Sequence, residues 1–318
     1  MADRILAGML VVPFLLGAAA APVDESKVVF SFQDDRIIES SGLALVDTLV
    51  VTTNDSGDTG RVFAVDPATG ETVGTTGWAN DPQDVEALAP GSPRSVWVGD
   101  IGDNLETRDT VQVAEVPIGS GNADMDGPIF DLVYPDGAHD AETLMSDPET
   151  ERLYVATKSV LGGTLYAAPE ELSATGPNRL EPVGDVLPIA TDGSFFPDGR
   201  HVVIRNYSVA VVYAFPSMER VGSINLPSQE QGEGIAVDRQ DRLLLSSEGA
   251  RSEVLRMKLP DDVRAAMAPA SEGPSTASRE DSELPETTES QRSAWPWFVT
   301  GLLGIAFILV LTRSLRRR

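Results

Sequence analysis

The sequence contains no cysteine and only two histidines, His139 and His201. Disulfide scaffolds, zinc ribbons, cysteine nucleophiles and thiol redox motifs are therefore excluded, and so is a metal site built from several histidines. Basic residues are also scarce, because 24 Lys and Arg stand against 49 Asp and Glu, a formal net charge of −25 at pH 7. A chain this acidic repels nucleic acid and attracts cations. We therefore expect no nucleic-acid partner.

Signatures of catalysis are missing as well. The chain has no GxSxG nucleophile elbow, no Walker phosphate loop, and no Ser, His and Asp grouping at a recognisable spacing. No catalytic residue is assigned from the sequence, and whether the protein is an enzyme stays open at this point.

What the chain does contain is one short pattern that returns five times. The copies read SSGLAL, DVEALA, DAETLM, TDGSFF and GEGIAV, and each is followed by a turn and a β-branched run. They are 45, 56, 51 and 40 residues apart when aligned on Gly42, Ala87, Thr143, Ser194 and Gly234. This spacing is the length of one four-stranded propeller blade. The sequence therefore predicts an all-β fold, a β-propeller of five four-stranded blades over residues 27–261, with six blades as the alternative.

The fifth repeat has only three strands of its own before the apolar pattern stops. A propeller must join its last blade to its first or leave an open sheet edge. The run KVVFSF, which begins at Lys27, is the candidate for the missing strand. We therefore expect this N-terminal strand to complete blade 5 and close the ring.

Both ends of the chain are typical of targeting segments. Residues 1–20 contain an apolar stretch and a small-residue run, which predict a signal peptide. Residues 265–294 are rich in Ala, Pro, Ser, Thr and Glu and predict a disordered stalk. Residues 295–312 are uncharged and begin with Trp-Pro-Trp, which predicts a transmembrane helix, and the Arg-rich tail 313–318 indicates the cytoplasmic side. We expect a single-pass protein of the cell membrane whose propeller is extracytoplasmic.

A second interpretation of the C-terminal end is attachment to the cell wall. Residues 284–288 read LPETT, and an LPxT motif followed by an apolar span and terminal Arg residues resembles the sorting signal that sortases cut. Thr288 stands where that signal has Gly, at the cleaved bond, so the signal is degenerate. Membrane anchoring is the favoured interpretation, and wall attachment is the alternative.

The repeats also place acidic residues at equivalent positions of several blades. Glu86, Glu142 and Glu233 share one aligned position, at the start of the innermost strands of blades 2, 3 and 5. The pseudo-symmetry gathers them at one mouth of the central channel, where converging carboxylates need a cation or raised pKa values. A calcium ion held by these three glutamates is the expected cofactor, since calcium prefers oxygen ligands. The alternative is that the carboxylates are spread widely enough to be solvated.

The ends of the second strands return to the same rim, because the first two strands of a blade are antiparallel. An unknown ligand or protein partner would meet six candidate binding residues there: Asp55, Asp100, Lys158, Arg205, Asn206 and Glu248. Lys158 and Arg205 are the only obvious counter-charges, and phosphoester chemistry requires more than these two.

Several motifs together resemble one group of proteins. The stretches NDSGDTGRVFAVDPATG, DVEALA, GDIGDN, YPDGAHDAETL, SFFPDGR and QGEGIAV look like a largely uncharacterised group of secreted bacterial β-propeller proteins, some of them called WD40-like or phytase-like. The resemblance implies mainly the fold. Phytase-like and gluconolactonase-like propellers bind calcium at one mouth, and Glu233 matches a position where such motifs carry an acidic ligand. The full set of calcium-loop acids and the basic phosphate cradle of phytases are missing.

The function that these patterns favour is a membrane-tethered extracytoplasmic binding module with calcium at the channel mouth. The alternative is a calcium-dependent hydrolase of a phosphoester or lactone, of the phytase-like propeller type. A fold alone does not decide between the two, since one fold hosts many functions.

Overall fold

A computed structural model of the chain describes residues 26–55, 58–78 and 82–268. The predicted signal peptide, transmembrane helix and cytoplasmic tail, and most of the predicted stalk, lie outside these residues. None of the helices among the described residues could span a lipid bilayer. The predictions of membrane or cell-wall attachment therefore stay predictions.

The described residues form β-strands throughout, followed by one short helix. The first half contains β1 (Lys27–Ser31), β2 (Ser40–Val46), β3 (Leu49–Asn54), β4 (Arg61–Val65), β5 (Thr72–Trp78), β6 (Val85–Pro90), β7 (Ser95–Asp100), β8 (Val111–Pro117), β9 (Gly121–Met125) and β10 (Ile129–Val133). The second half contains β11 (Ala141–Ser146), β12 (Leu153–Thr157), β13 (Gly163–Ala167), β14 (Asn178–Arg179), β15 (Glu181–Val186), β16 (Asp192–Phe195), β17 (His201–Arg205), β18 (Val209–Ala214), β19 (Glu219–Asn225), β20 (Gly232–Val237), β21 (Leu243–Ser247) and β22 (Glu253–Met257). Helix α1 (Asp261–Met267) comes last.

The strands form five sheets arranged as the blades of a propeller. From the centre outward the blades are β2-β3-β4-β5, β6-β7-β8-β10, β11-β12-β13-β15, β16-β17-β18-β19 and β20-β21-β22-β1. The innermost strands of neighbouring blades contact one another around a closed ring. The five-bladed prediction is confirmed, and the six-bladed alternative is excluded.

The hydrophobic cores lie between neighbouring blades. The second strands β12 (LYVAT) and β17 (HVVIR) are buried at every residue, because a blade covers each of their faces. This explains why the sequence shows continuous β-branched runs there rather than alternation. Gly42 in β2 allows blades 1 and 2 to approach closely, since a Cβ at this residue would lie 2.5 Å from the backbone nitrogen of Leu88.

The ring closes through the N-terminal strand, as the sequence predicts. β1 pairs antiparallel with β22, with Lys27 opposite Arg256 and Ser31 opposite Glu253. Phe30 and Phe32 pack in the core between blades 5 and 1, and their ring centroids are 5.5 Å apart in an edge-to-face arrangement. Blade 5 is therefore complete only when the two ends of the propeller meet.

Three elements are not predicted by the repeat pattern. β9 leaves blade 2 and pairs in parallel with β5, so that blade 1 gains a fifth strand. The two-residue β14 leaves blade 3 and pairs in parallel with β10 of blade 2. Helix α1 packs on blade 4, where Val263 is buried against Gly222. This helix includes residues 265–267, which the sequence assigns to the start of the stalk.

The innermost strands all begin on one side of the ring, which we call the acidic face. It contains the first residues of these strands and the loops that join the second strand of each blade to the third. At the opposite end of the channel lies a cavity of about 740 Å³, lined by the final residues of the innermost strands. This cavity is therefore separate from the predicted site, which lies on the acidic face.

Candidate functional site

The three glutamates predicted as metal ligands lie at the beginning of β6, β11 and β20. Glu86, Glu142 and Glu233 are all buried. Burial raises the pKa of both Glu86 and Glu233, and in each case the charge of Glu142 adds to the increase. The aligned positions therefore meet at one mouth of the channel, close enough for their charges to interact.

Glu86 is the most perturbed of the three. Burial raises its pKa to about 10, and the charges of Glu142, Asp55 and Asp84 contribute further. The hydroxyl of Ser41 donates a hydrogen bond of 3.1 Å to Glu86 Oε2, which opposes the increase only in part. Without a cation, the Glu86 carboxyl group is therefore protonated at neutral pH.

Glu142 is neutralised by a lysine. The Lys158 Nζ donates a hydrogen bond to Glu142 Oε1 in a half-buried ion pair. Burial raises the pKa of Glu142 to about 7, although Lys158 opposes this change. Burial alone would lower the pKa of Lys158, but the charge of Glu142 and its hydrogen bond, together with the charges of Tyr207 and Asp140, raise it. Lys158 Nζ also lies 6.0 Å from the centroid of the Tyr207 ring, at the outer limit of a cation–π contact.

Glu233 forms a carboxyl pair with Glu248. The two carboxyl groups are close enough for the charge of Glu248 to act on Glu233. Burial raises the pKa of Glu233 to about 8, and the charges of Glu142 and Glu248 add to this. Glu233 therefore ionises less readily than an exposed glutamate.

One group of three carboxylates is close enough to share an ion. Oxygen atoms of Asp55, Asp84 and Glu86 all lie within 4.8 Å of one another, and no other such group of His, Asp or Glu occurs in the described residues. Asp55 follows β3 and Asp84 precedes β6, so the group lies between blades 1 and 2. No described Lys or Arg forms an ion pair with Asp84 or Glu86. A donor set made only of carboxylate oxygens fits a hard cation such as calcium.

Hydrogen bonds hold Asp84 in this position. The backbone N–H groups of Gln83 and Asp84 donate to the carboxylate of Asp100, at 2.9 and 3.0 Å. Arg108 Nη1 donates to the same carboxylate at 2.8 Å. Burial raises the pKa of Asp84, and the charge of Asp55 is the next contribution. Asp100, a predicted ligand-binding residue, therefore positions Asp84 through its internal contacts.

Arg205 and Asn206 also make internal hydrogen bonds. Arg205 is completely buried, and its Nη1 and Nε donate to the carbonyl oxygens of Gly234 at 3.0 Å and Asn206 at 3.1 Å. The Asn206 Oδ1 accepts the backbone N–H groups of Ser208 and Val209, at 3.1 and 2.9 Å. Of these two predicted binding residues, Asn206 therefore stabilises the β17–β18 turn, and Arg205 stabilises the contact between blades 4 and 5.

Asp84 is the residue that the sequence analysis does not identify. The sequence does contain a pattern that could have identified Asp84. Asp84 and Glu86 form a D-x-E motif that recurs as Asp140 and Glu142 in the next blade. Alignment on a single position per repeat selects only the glutamates. Asp55, in contrast, is a predicted rim residue that the structure places beside Asp84 and Glu86.

No protein-family model and no curated protein matches this sequence. The likeness to secreted bacterial propellers therefore rests on the motifs quoted above, and the structure supports its architectural part, a five-bladed β-propeller.

Proposed function

We propose that this protein is an extracytoplasmic binding module, tethered to the membrane by residues 295–312, that carries calcium at the acidic mouth of its propeller. The observation that supports this proposal most strongly is the group formed by Asp55, Asp84 and Glu86, whose oxygens lie within 4.8 Å of one another. No described base forms an ion pair with Asp84 or Glu86, and a divalent cation would balance the negative charge that converges there.

The three carboxylates would hold the ion from two neighbouring blades. A bound calcium ion would supply positive charge and coordination positions for oxygen atoms of a ligand. Glu142 and Glu233 face the same mouth, but Glu142 forms an ion pair with Lys158, and neither glutamate belongs to the close group of Asp55, Asp84 and Glu86. Glu86 belongs both to the three predicted glutamate ligands and to the group of Asp55, Asp84 and Glu86, and we therefore assign it as a ligand. We assign Glu142 and Glu233 as charges that surround the ion.

The calcium-dependent hydrolase has less support than the binding module. Hydrolysis of a phosphoester requires cationic groups that bind the phosphate oxygens. Lys158 is already paired with Glu142, and Arg205 is completely buried. Lactone hydrolysis does not need these cations, so an esterase and lactonase screen of the calcium-loaded protein is the appropriate check.

The proposal is tested by thermal unfolding with calcium or EDTA. Calcium at a hundredfold excess over Kd should stabilise the native state by about 2.7 kcal/mol, because it binds only the folded site. Asp84→Asn should abolish this response. Asp109→Asn is the matched control, since Asp109 is an exposed aspartate of the acidic face outside the group.

Two results would contradict the proposal. If the parent melted at the same temperature in calcium and in EDTA, the proposed metal site would be refuted. A calcium response that persists in Asp84→Asn but is lost in Glu142→Gln would indicate that the ion is bound by the three glutamates predicted from the sequence.

A further inference from the structure

Large apolar side chains are exposed mainly on the acidic face. Of seven such residues in the described chain, five lie on this side of the ring: Ile38, Leu105, Val160, Leu161 and Tyr207. Three of them are among the most exposed, since Leu161 is 96%, Leu105 82% and Val160 77% accessible. Single exposed apolar residues are common, but their concentration on one face is typical of an interaction surface.

Four of these residues form an arc over three consecutive blades, which we call the apolar arc: Leu105, Val160, Leu161 and Tyr207. They lie in loops 101–110, 158–162 and 206–208, on blades 2, 3 and 4. The loops are in contact: the Asp103 N–H donates to Asp140 Oδ1 of blade 3 at 2.9 Å, and Lys158 of blade 3 lies over the Tyr207 ring of blade 4. The loops that carry the apolar arc therefore belong to blades that adjoin along one side of the mouth.

The surroundings of the apolar arc are negative. Five basic residues of the acidic face are paired with acids, namely Arg36–Asp34, Arg61–Asp58, Arg108–Asp100, Lys158–Glu142 and Arg251–Asp35, and Arg205 is completely buried. Several acids of the same face have no ion pair with a described base, namely Asp84, Glu86, Glu106, Asp109, Glu233 and Glu248. The charge that complements this surface is positive.

We infer that the apolar arc is a docking surface for a partner protein segment in which Lys or Arg alternates with apolar residues. The apolar side chains of the partner cover Leu105, Val160, Leu161 and Tyr207, and its cations approach the mouth beside Glu233 and Glu248. The inference rests on the proposed binding function and names the class of its partner.

Charge excludes the two other obvious occupants. Bilayer surfaces carry anionic lipids, which this face repels. The stalk of the same chain is acidic as well, with Glu280, Asp281, Glu283 and Glu286 close together. A basic and partly apolar segment matches both properties of the surface.

The test uses the purified full-length chain and three synthetic peptides that alternate Leu with Lys, Leu with Glu, and Ser with Lys. Fluorescence anisotropy should give an affinity for the Leu–Lys peptide about tenfold or more above that for either other peptide. The double variant Leu105→Ser and Leu161→Ser should lose this preference without changing the melting temperature, because both side chains are exposed. Val73→Ser, an exposed apolar residue on β5, is the control that should retain it.

Equal binding of the three peptides, or an unchanged preference in the double variant, would overturn the inference. Equal binding of the Leu–Lys and Leu–Glu peptides would indicate an apolar surface without charge preference, as expected for a lipid contact. The calcium response is measured on the same samples. In the parent protein, absence of a peptide preference with an intact calcium response refutes the docking surface alone. An absent calcium response with an intact peptide preference refutes the metal site alone.

Discussion

Closure of the ring by β1 makes a strong prediction about stability. Phe32, which directly follows this strand, is completely buried in the core between blades 5 and 1. Phe32→Ala should lower the free energy of unfolding by about 3–5 kcal/mol, because it removes the ring and leaves a cavity. This is a large part of the 5–15 kcal/mol that typically stabilises a folded domain, as a rough guide.

Urea unfolding of residues 21–268, followed by tryptophan fluorescence, measures the change. With an m-value of about 3 kcal/mol/M, the midpoint should fall by roughly 1 M or more. Val28→Ala is the matched control, because Val28 lies on the same strand but is 52% exposed. Its effect should stay within about 0.5 kcal/mol. If Phe32→Ala were no more destabilising than Val28→Ala, closure through the N-terminal strand would be refuted.

Three further predictions follow from the inner strands and the mouth. The pKa of Glu86 is raised from 4.5 to about 10, so the stabilisation from its proton is complete below pH 4.5 and is lost as the pH rises towards 10. In EDTA, Glu86→Gln should therefore be more stable than the parent at pH 8, and urea unfolding from pH 5 to 8 should show a weaker pH dependence. Gly42→Val should destabilise by more than about 2 kcal/mol in the same assay, since its side chain would collide with the backbone at Leu88. Lys158→Met should raise the pKa of Glu142 above its present value of about 7, which carboxyl NMR titration would detect, and no change would mean that the ion pair is absent.

The repeat pattern predicts the fold well because each blade is specified locally. Turn residues, β-branched runs and a fixed repeat length recur in every blade, and a strand missing at one end has its counterpart at the other. The repeat pattern does not predict β9, β14 and α1, because these elements depend on packing against a neighbouring blade. The exposed β9 carries little apolar periodicity, so nothing in its own sequence indicates the parallel pairing with β5.

The sequence predicts where the candidate site lies, but not which side chains contact one another there. Blade pseudo-symmetry places Glu86, Glu142 and Glu233 at one mouth, but sequence spacing does not show that Lys158 pairs with Glu142. Arg205, at the end of β17, is buried, and its burial depends on how blade 4 packs against the neighbouring blade. Side-chain partners are decided by distances between blades, which no local pattern contains.

Calorimetric titration of calcium into the EDTA-stripped protein at pH 8, in two buffers of different ionisation enthalpy, tests the calcium site directly. We expect one calcium site whose occupation releases about one proton, because metal ligands must be deprotonated to bind and burial holds the pKa of Glu86 at about 10. Glu86→Gln should bind calcium more weakly and release no such proton. Absence of binding heat in the parent, or the same proton release in Glu86→Gln, would contradict a calcium site at Asp55, Asp84 and Glu86.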